Sequence, residues 1–343
     1  MTRSTVTRAL TTLARRVRRA PAAALGALAV SAVSAALAPA GAAAETFPAR
    51  PIRLIVPFAP GGSVDIAARL ITEAWGRQLG QPVVADNRAG ASGNIGMDQT
   101  AKARPDGYTL AINNVALAVN PSLFARLPFD TERDLMSVGT MGTSQHVLVV
   151  TNSLPAKDVK QLIALAKSEP GKLSFGSAGT GSTLHMAAEL FKSESGANIL
   201  HVPYKGGGPA MLDTIAGQVQ ISFPVLSAAQ QQVQAGKLRA LAVTGPKRSP
   251  LMPGVPTVAE AGLPNYTFET WFIVSAPAGT PKDVVATLNR TLNQALSTPE
   301  MKARLLKEGF EPLTMSPAQA DAMLHKETRR WAAQIKQAGI TPE

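Results

Sequence analysis

Three glycine-rich segments, at residues 57–65, 175–183 and 201–210, each follow a short apolar run and precede a helical pattern. Glycine lets the backbone turn so that successive N–H groups point into one space, and the dipole of the following helix adds partial positive charge there. Such a turn can bind an anion such as a carboxylate. The competing interpretation is an ordinary turn between a strand and a helix, in which Ser63 or Asp65 only caps the first helix.

The second segment has the spacing of a nucleotide-binding phosphate loop, with Gly176 and Gly181 at the positions of its glycines. Ser182 stands where that loop requires lysine, and no acidic strand end offers a partner for Mg²⁺, which argues against an NTPase. Turn and helix-cap chemistry remains the alternative here too. The third segment adds an aromatic ring and a cation, Tyr204 and Lys205; the lysine can pair with a carboxylate, although a lone lysine is more often only solvated.

The sequence contains few residues that could act in catalysis. The chain has no cysteine, which excludes disulfides, thiolate nucleophiles and cysteine-type metal sites. His185 and Glu189 lie one helical turn apart and could share a metal, but we expect His185 to pack or form a hydrogen bond near the start of its helix. The nucleophile-elbow pattern G-x-S-x-G is absent. We therefore expect no catalytic residue, no metal and no cofactor; an exported hydrolase is the less favoured alternative, and substitution of His185 should abolish its turnover.

The N-terminus reads as an export signal. Six arginines precede an acid-free run rich in Ala, Leu and Val at residues 22–37, and small residues end at Ala44. We expect a signal peptide over residues 1–44, cleaved within two residues of Ala44, and a periplasmic location. A membrane anchor is the alternative, but the apolar run is shorter than the roughly 20 residues that a spanning helix needs.

Removing this leader changes the charge argument. The net charge falls from +11 for the whole chain to +5 for the remainder, because the leader carries six arginines and no acid. The remaining positive charge is scattered and lacks a basic run interleaved with aromatics, so we expect no nucleic-acid partner. A modestly basic surface suits the capture of an anion.

From residue 51 onward, short β-rich runs alternate with amphipathic helical segments, which predicts an α/β fold with largely parallel sheets. Connections near residues 143–147 and 265–270 would let the middle of the chain form one domain and both ends the other. The predicted division is residues 45–145 with 268–343 as lobe 1, and 146–267 as lobe 2. The sequence pattern alone leaves this division as one option among several.

Ordered motifs along the mature chain resemble the Bug family of extracytoplasmic receptors, the substrate-binding subunits of tripartite tricarboxylate transporters. The matching stretches lie at residues 51–62, 87–96, 105–110, 176–185, 202–206, 236–243, 256–262 and 276–281. The resemblance implies a two-lobed Venus-flytrap fold of the type II periplasmic-binding-protein kind, which closes on a carboxylate held by two glycine-rich turns. It also implies delivery of the ligand to membrane transporter subunits; an orphan receptor for a sensor kinase is the alternative. We expect the protein to be a monomer.

Carried over by position, the resemblance assigns ligand contacts to three groups of residues. The first-lobe turn contributes Phe58, Pro60, Gly61, Gly62, Ser63 and Asp65. The second-lobe turn contributes Ser177, Gly179, Thr180, Gly181, Ser182 and Thr183, and the cleft is lined by Tyr204, Lys205 and Gly206. Asp65 has two possible roles, capping the helix or binding the ammonium group of an amino-acid ligand.

Two features bear on ligand choice. Pro224 stands where many relatives have an aspartate, and the loss of that acid favours a plain dicarboxylate or aromatic acid over an amino acid. Residues 112–116, in a region that varies among relatives, are expected to tune the choice further.

Overall fold

The computed structural model of the protein describes residues 46–337, 339 and 340. The expected signal peptide over residues 1–44, with its cleavage site at Ala44, lies outside the described residues. Among the helices that are described, none combines the length and the apolar character needed to cross a bilayer.

A six-stranded sheet forms the core of what we call lobe 1, in the order β11-β4-β10-β3-β1-β2. Its strands are β1 (Ile52–Val56), β2 (Val83–Asn87), β3 (Thr109–Asn113), β4 (Leu135–Gln145), β10 (Glu269–Pro277) and β11 (Phe310–Pro312). Its helices are α1 (Ser63–Leu79), α2 (Asn94–Ala101), α3 (Ala116–Leu123), α8 (Lys282–Ser297), α9 (Pro299–Lys307) and α10 (Pro317–Gln337).

A five-stranded sheet forms the core of lobe 2, in the order β7-β6-β8-β5-β9. Its strands are β5 (Val147–Thr151), β6 (Ser174–Ser177), β7 (Leu200–Pro203), β8 (Ile221–Ser222) and β9 (Leu238–Val243). Its helices are α4 (Val159–Ser168), α5 (Thr183–Ser195), α6 (Gly207–Ile215) and α7 (Leu226–Gln234). The α/β fold class is confirmed.

The expectation of largely parallel sheets is wrong. Among the strands that the structure describes, the pairs β1–β2, β1–β3, β6–β7 and β6–β8 are parallel, and the other five pairs are antiparallel. The reason is that β4 carries the chain out of lobe 1 and β10 carries it back, so these two neighbours must run in opposite directions. Parallel pairing is confined to the βα units that carry the glycine-rich turns.

The first crossing between the sheets passes through His146, which stands alone between β4 and β5. Its buried ring makes 2.7 Å hydrogen bonds to the Phe223 carbonyl oxygen and the Thr270 Oγ1. The backbone N–H of His146 donates to Thr244 Oγ1 at 2.8 Å. The ring thus ties together segments on both sides of the crossing. The division at residues 145/146 and 267/268 stays a prediction, but the first expected connection is strand rather than loop.

The apolar core continues from one sheet to the other. One cluster joins buried residues of β10, such as Trp271 and Ile273, to Phe175 of β6 and Phe223 after β8. A second cluster lies under α1 and α8, where Trp75 Nε1 donates to Thr291 Oγ1 at 3.0 Å. This packing fixes the strand ends from which the glycine-rich turns leave.

Candidate functional site

The first glycine-rich turn connects the end of β1 to the start of α1. Gly61 has φ of +82°, a conformation that strains any residue with a Cβ atom. Gly62 precedes the helix in an extended conformation and offers no side-chain cap. The N–H groups of Ser63 and Val64, in the first turn of the helix, have no intrahelical partner.

Asp65 stabilises this turn through its side chain, and the residue is only 3% exposed. Its carboxylate accepts hydrogen bonds from Gly61 N (3.0 Å), Arg69 Nε (3.0 and 3.1 Å) and Asn87 Nδ2 (2.9 Å). Burial raises the pKa of Asp65, but the bonds from Arg69, Gly61 and Asn87 outweigh it and leave the pKa below its usual value. With its oxygens so engaged, Asp65 stabilises the turn, which favours a structural role over that of an ammonium ligand. Its backbone donor is Gly61, which precedes the helix, so Asp65 holds the turn rather than capping the helix as expected.

Asn87 is a site residue that sequence reasoning missed. It pairs with Val56 in the register of β1 and β2, and its Nδ2 also donates to the Phe58 carbonyl oxygen at 3.0 Å. One amide thereby fixes both the beginning of the turn and the carboxylate of Asp65. The available signal was its place at the end of the strand next to β1, since the carboxyl ends of parallel neighbours meet at one edge of a sheet.

The second glycine-rich turn connects β6 to α5 by the same construction. Gly179 and Gly181 have φ of +112° and +76°. Ser182 caps α5 by accepting a hydrogen bond from His185 N at 3.3 Å. The N–H groups of Thr183 and Leu184, in the first turn of this helix, have no intrahelical acceptor.

Two stacked histidines support the second turn. Ser177 Oγ accepts a hydrogen bond from Gly179 N at 3.1 Å and lies 2.6 Å from His201 Nε2, while Gly181 N donates to His185 Nδ1 at 3.1 Å. The rings of His185 and His201 stack with centroids 4.0 Å apart. His185 thus bonds at the start of its helix, as expected, whereas the role of His201 was not foreseen.

Both imidazoles are neutral near pH 7. Burial, then the nearby His201 and Lys192, lower the pKa of His185 to about 3, and burial with Lys192 lowers the pKa of His201 to about 4. Glu189 Oε1 lies 3.7 Å from His185 Nε2 but pairs more closely with Lys192 Nζ at 2.7 Å. Within residues 46–337, no group of three or more potential ligands is placed to hold a metal ion.

The third segment offers a ligand fewer free polar groups than its composition suggested. The Tyr204 hydroxyl donates to Asp213 Oδ2 at 2.8 Å, and burial with this bond raises the pKa of the hydroxyl to about 12. Tyr204 N donates to the Ser177 carbonyl oxygen at 3.1 Å, so its backbone supports the second turn. Lys205 is exposed and forms no ion pair with any residue of the described chain, and Gly206 precedes α6 with φ of +128°.

The two turns are linked through residues 90–93. A Cβ atom on Gly93 would stand 3.2 Å from the Phe58 ring, so the first turn packs against this segment. On its other side, Ser92 Oγ lies 3.5 Å from the Thr180 carbonyl oxygen of the second turn. The structure therefore connects the two predicted groups of site residues through a segment outside both.

Comparison with known proteins gives a consistent result. Residues 67–340 match the family model described as "Tripartite tricarboxylate transporter family receptor". The chain is 40% identical over 302 residues to protein BugT of Bordetella pertussis, covering 88% of this chain and 93% of BugT.

Solved structures of similar proteins include two with ligands. Rpa4515 of R. palustris with adipate is 38% identical with a TM-score of 0.80, covering 87% of this chain and all of that one. MatC (Rpa3494) from Rhodopseudomonas palustris with bound malate is 31% identical with a TM-score of 0.74, covering 84% of this chain and all of that one. These matches confirm the two-lobed α/β architecture.

Proposed function

Because the chain belongs to the tripartite tricarboxylate transporter receptor family, we propose that it is a solute-binding receptor that captures a small carboxylate between its two lobes. The observation that carries this proposal is the pair of glycine-rich turns, one per lobe, each placed at the start of a helix. Each turn leaves N–H groups at the start of a helix without an intrahelical partner and carries the partial positive charge of the helix end, which suits one carboxylate group.

The donors of the two turns are neutral. Arg69 is engaged by Asp65 in lobe 1, and both histidines under the second turn are uncharged near pH 7. Hydrogen bonds from neutral N–H groups to a carboxylate are weaker than those from a guanidinium. A receptor built this way holds its ligand when the lobes close and releases it when they open, as delivery requires. The exposed Lys205 would add only general attraction.

A small dicarboxylate is the ligand class that fits best. The relatives with adipate and malate carry dicarboxylates of two lengths. Pro224, buried here, offers no charge for the ammonium group of an amino acid. In the stretch expected to tune ligand choice, Asn113 Nδ2 is buried without an acceptor among the described residues, and β3 ends beside β1 at the edge from which the first turn leaves. This amide would contact a further ligand oxygen.

The receptor would act in the periplasm as a monomer and pass its ligand to membrane transporter subunits. The basic, apolar N-terminal segment supports export. The family name supports the transporter partner. In this role the protein performs no chemical step and needs no metal or cofactor.

The test is a thermal-shift screen of residues 45–343 against dicarboxylates, aromatic acids and acidic amino acids, since a ligand of the folded state raises the melting temperature. We expect a rise with dicarboxylates that is lost in Gly61→Ala. Gly171→Ala is the matched control, because Gly171 has a similar φ of +75° and likewise has no atom near an added Cβ. A flat response to every carboxylate would refute the proposal.

A further inference from the structure

Residues Gly90–Gly93, which we call the interlobe turn, have positive φ at every position. The values are +136°, +47°, +53° and +93°. Ala91 and Ser92 are the two non-glycine residues with this conformation in the described part of the chain. A Cβ atom makes left-handed backbone unfavourable, and such residues persist where surrounding contacts hold them, often at ligand clamps and switches.

Asn120, which lies on a different element, forms hydrogen bonds that keep the interlobe turn in this conformation. Its Nδ2 donates to the Ser92 carbonyl oxygen at 3.0 Å and to Asn94 Oδ1 at 2.7 Å. Asn120 is 2% exposed, and Asn94 is 4% exposed. A buried amide on α3 therefore fixes the end of the interlobe turn and the start of α2 together.

The same face of α3 meets lobe 2. A Cβ atom on Gly181 would stand 2.7 Å from Leu123 Cδ1 and 3.8 Å from Asn120 Oδ1. Asn120 Oδ1 is buried and has no donor among the described residues. Together with the contact of Ser92 Oγ with the Thr180 carbonyl oxygen, these distances place the interlobe turn and α3 directly against the second anion-binding turn.

We propose that Asn120 is a positioning residue of the cleft, which pins the interlobe turn in its left-handed conformation and thereby holds the lobes closed. In the closed cleft, the Asn120 bonds and the Thr180 contact outweigh the unfavourable φ of Ala91 and Ser92. When the lobes separate, the contact is lost and the turn relaxes. We call Asn120 and the interlobe turn together the latch. The inference rests on the proposed function and deepens it, because the latch can act only in a cleft that opens and closes.

Two substitutions act on this latch with opposite signs. Asn120→Ala removes both hydrogen bonds, so the closed state loses support and the cleft opens. Ala91→Gly, at an exposed position with φ of +47°, removes the Cβ penalty of the closed state and shifts the cleft toward closure. Asn289→Ala is the control, because its Nδ2 also donates to two oxygen atoms within lobe 1, at 2.7 and 2.8 Å, but the acceptors belong to Val138 and Met315 rather than to the interlobe turn.

The first experiment needs no ligand. The chain has no cysteine, so Gln78→Cys with Ser193→Cys gives one exposed spin-label site on each lobe without background labelling. Electron–electron double resonance then measures the distribution of distances between lobes. We expect Asn120→Ala to shift this distribution away from the native one, Ala91→Gly to shift it in the opposite direction, and Asn289→Ala to leave it unchanged.

The second experiment uses adipate as the probe and measures association and dissociation rates by stopped flow. We expect Asn120→Ala to raise the dissociation rate about tenfold and Ala91→Gly to lower it a few-fold, with association rates changed much less. If adipate does not bind, the dicarboxylate proposal is weakened, while the distance measurement still decides the latch.

A native distance distribution in both latch variants would overturn the inference. The same holds if Asn120→Ala and Asn289→Ala lower the melting temperature equally and leave the lobes equally closed, since Asn120 would then have only a structural role. Should Asn120→Ala fail to fold, the Ala91→Gly variant alone decides, because relief of strain in a turn that never relaxes changes stability but not the interlobe distance.

Discussion

The first and second glycine-rich turns present similar backbone donors but rest on different supports. Under the first turn lies a carboxylate, Asp65, with its partner Arg69 largely in solvent. Under the second lie two stacked, neutral histidines and the hydroxyl of Ser177. The backbone conformation is thus what the two turns share, and the supporting side chains set how each lobe responds to pH and to substitution.

Acid should therefore weaken lobe 2 before lobe 1. His185 has a folded-state pKa of about 3, below its ordinary 6.5, so protons bind the unfolded state preferentially as the pH falls below 6.5. This one group should remove about 3 kcal/mol of stability by about pH 4. Asp65, whose folded pKa is lowered, keeps its contribution above its ordinary pKa of 3.8 and loses it at lower pH.

Urea unfolding monitored from pH 7 to pH 4 measures this loss. His185→Gln should make the profile shallower without flattening it, because His201, whose pKa is also lowered to about 4, still takes up a proton on unfolding. His325→Gln, at a half-buried position outside the second turn, is the control and should change the profile less than His185→Gln does. If the free energy of unfolding of His185→Gln depended on pH as it does in the native protein, His185 would not be the reason why acid weakens the second turn.

Substitution of Gly181 should abolish most binding. Its φ of +76° disfavours any Cβ, and the added atom would also meet Leu123 Cδ1 at 2.7 Å, so the second turn must move. We expect Gly181→Ala to weaken dicarboxylate affinity about a hundredfold, roughly 2.7 kcal/mol. Gly171→Ala has the same backbone strain in open space and controls for it, so equal affinities in the two variants, measured by calorimetry, would contradict the packing argument.

The support of the first turn should matter for stability. Asp65→Ala leaves the Gly61 N–H and one of the two Asn87 Nδ2 hydrogens without an acceptor, which should cost about 2 kcal/mol. Asp158→Ala, which removes an exposed helix cap on α4, should cost about 1 kcal/mol. Chemical denaturation of both variants provides the measurement, and a smaller loss at Asp65 than at Asp158 would show that the carboxylate is dispensable.

The smallest effect is expected at Lys205. Because this side chain is exposed and the turns donate through the backbone, Lys205→Ala should change affinity less than about threefold. Gly61→Val and Gly179→Val should each weaken binding more. Titration calorimetry at two salt concentrations tests the order, and a loss at Lys205 that exceeds the loss at either glycine would make charge, rather than backbone geometry, the source of affinity.

Local sequence signals predicted the parts of the molecule that depend on nearby residues. The strand at Ile52–Val56, the glycine-rich turn that follows it and the start of the next helix could be predicted because glycine, proline and apolar spacing act within a few positions. In contrast, β4 (Leu135–Gln145) is rich in small and polar residues, and its strand conformation depends on β10, more than a hundred residues away.

The side chains that stabilise the two turns could not be predicted from the sequence for the same reason. Asn87, His201 and Asn120 each come from an element other than the turn that they hold. None belongs to a local motif whose spacing reports its partner. The glycines could be identified from sequence because their chemistry is in the backbone, whereas the side chains beneath them could be assigned only once the sheets had brought them together.

The central claim is that backbone N–H groups of both turns bind the ligand, and amide chemical shifts during titration with adipate and with malate test it directly. The prediction is that the amide signals of Ser63 and Val64 in lobe 1, and of Thr183 and Leu184 in lobe 2, shift together and saturate with a single dissociation constant. Saturation with shifts confined to one turn, or no shift in either turn with both acids, would contradict it.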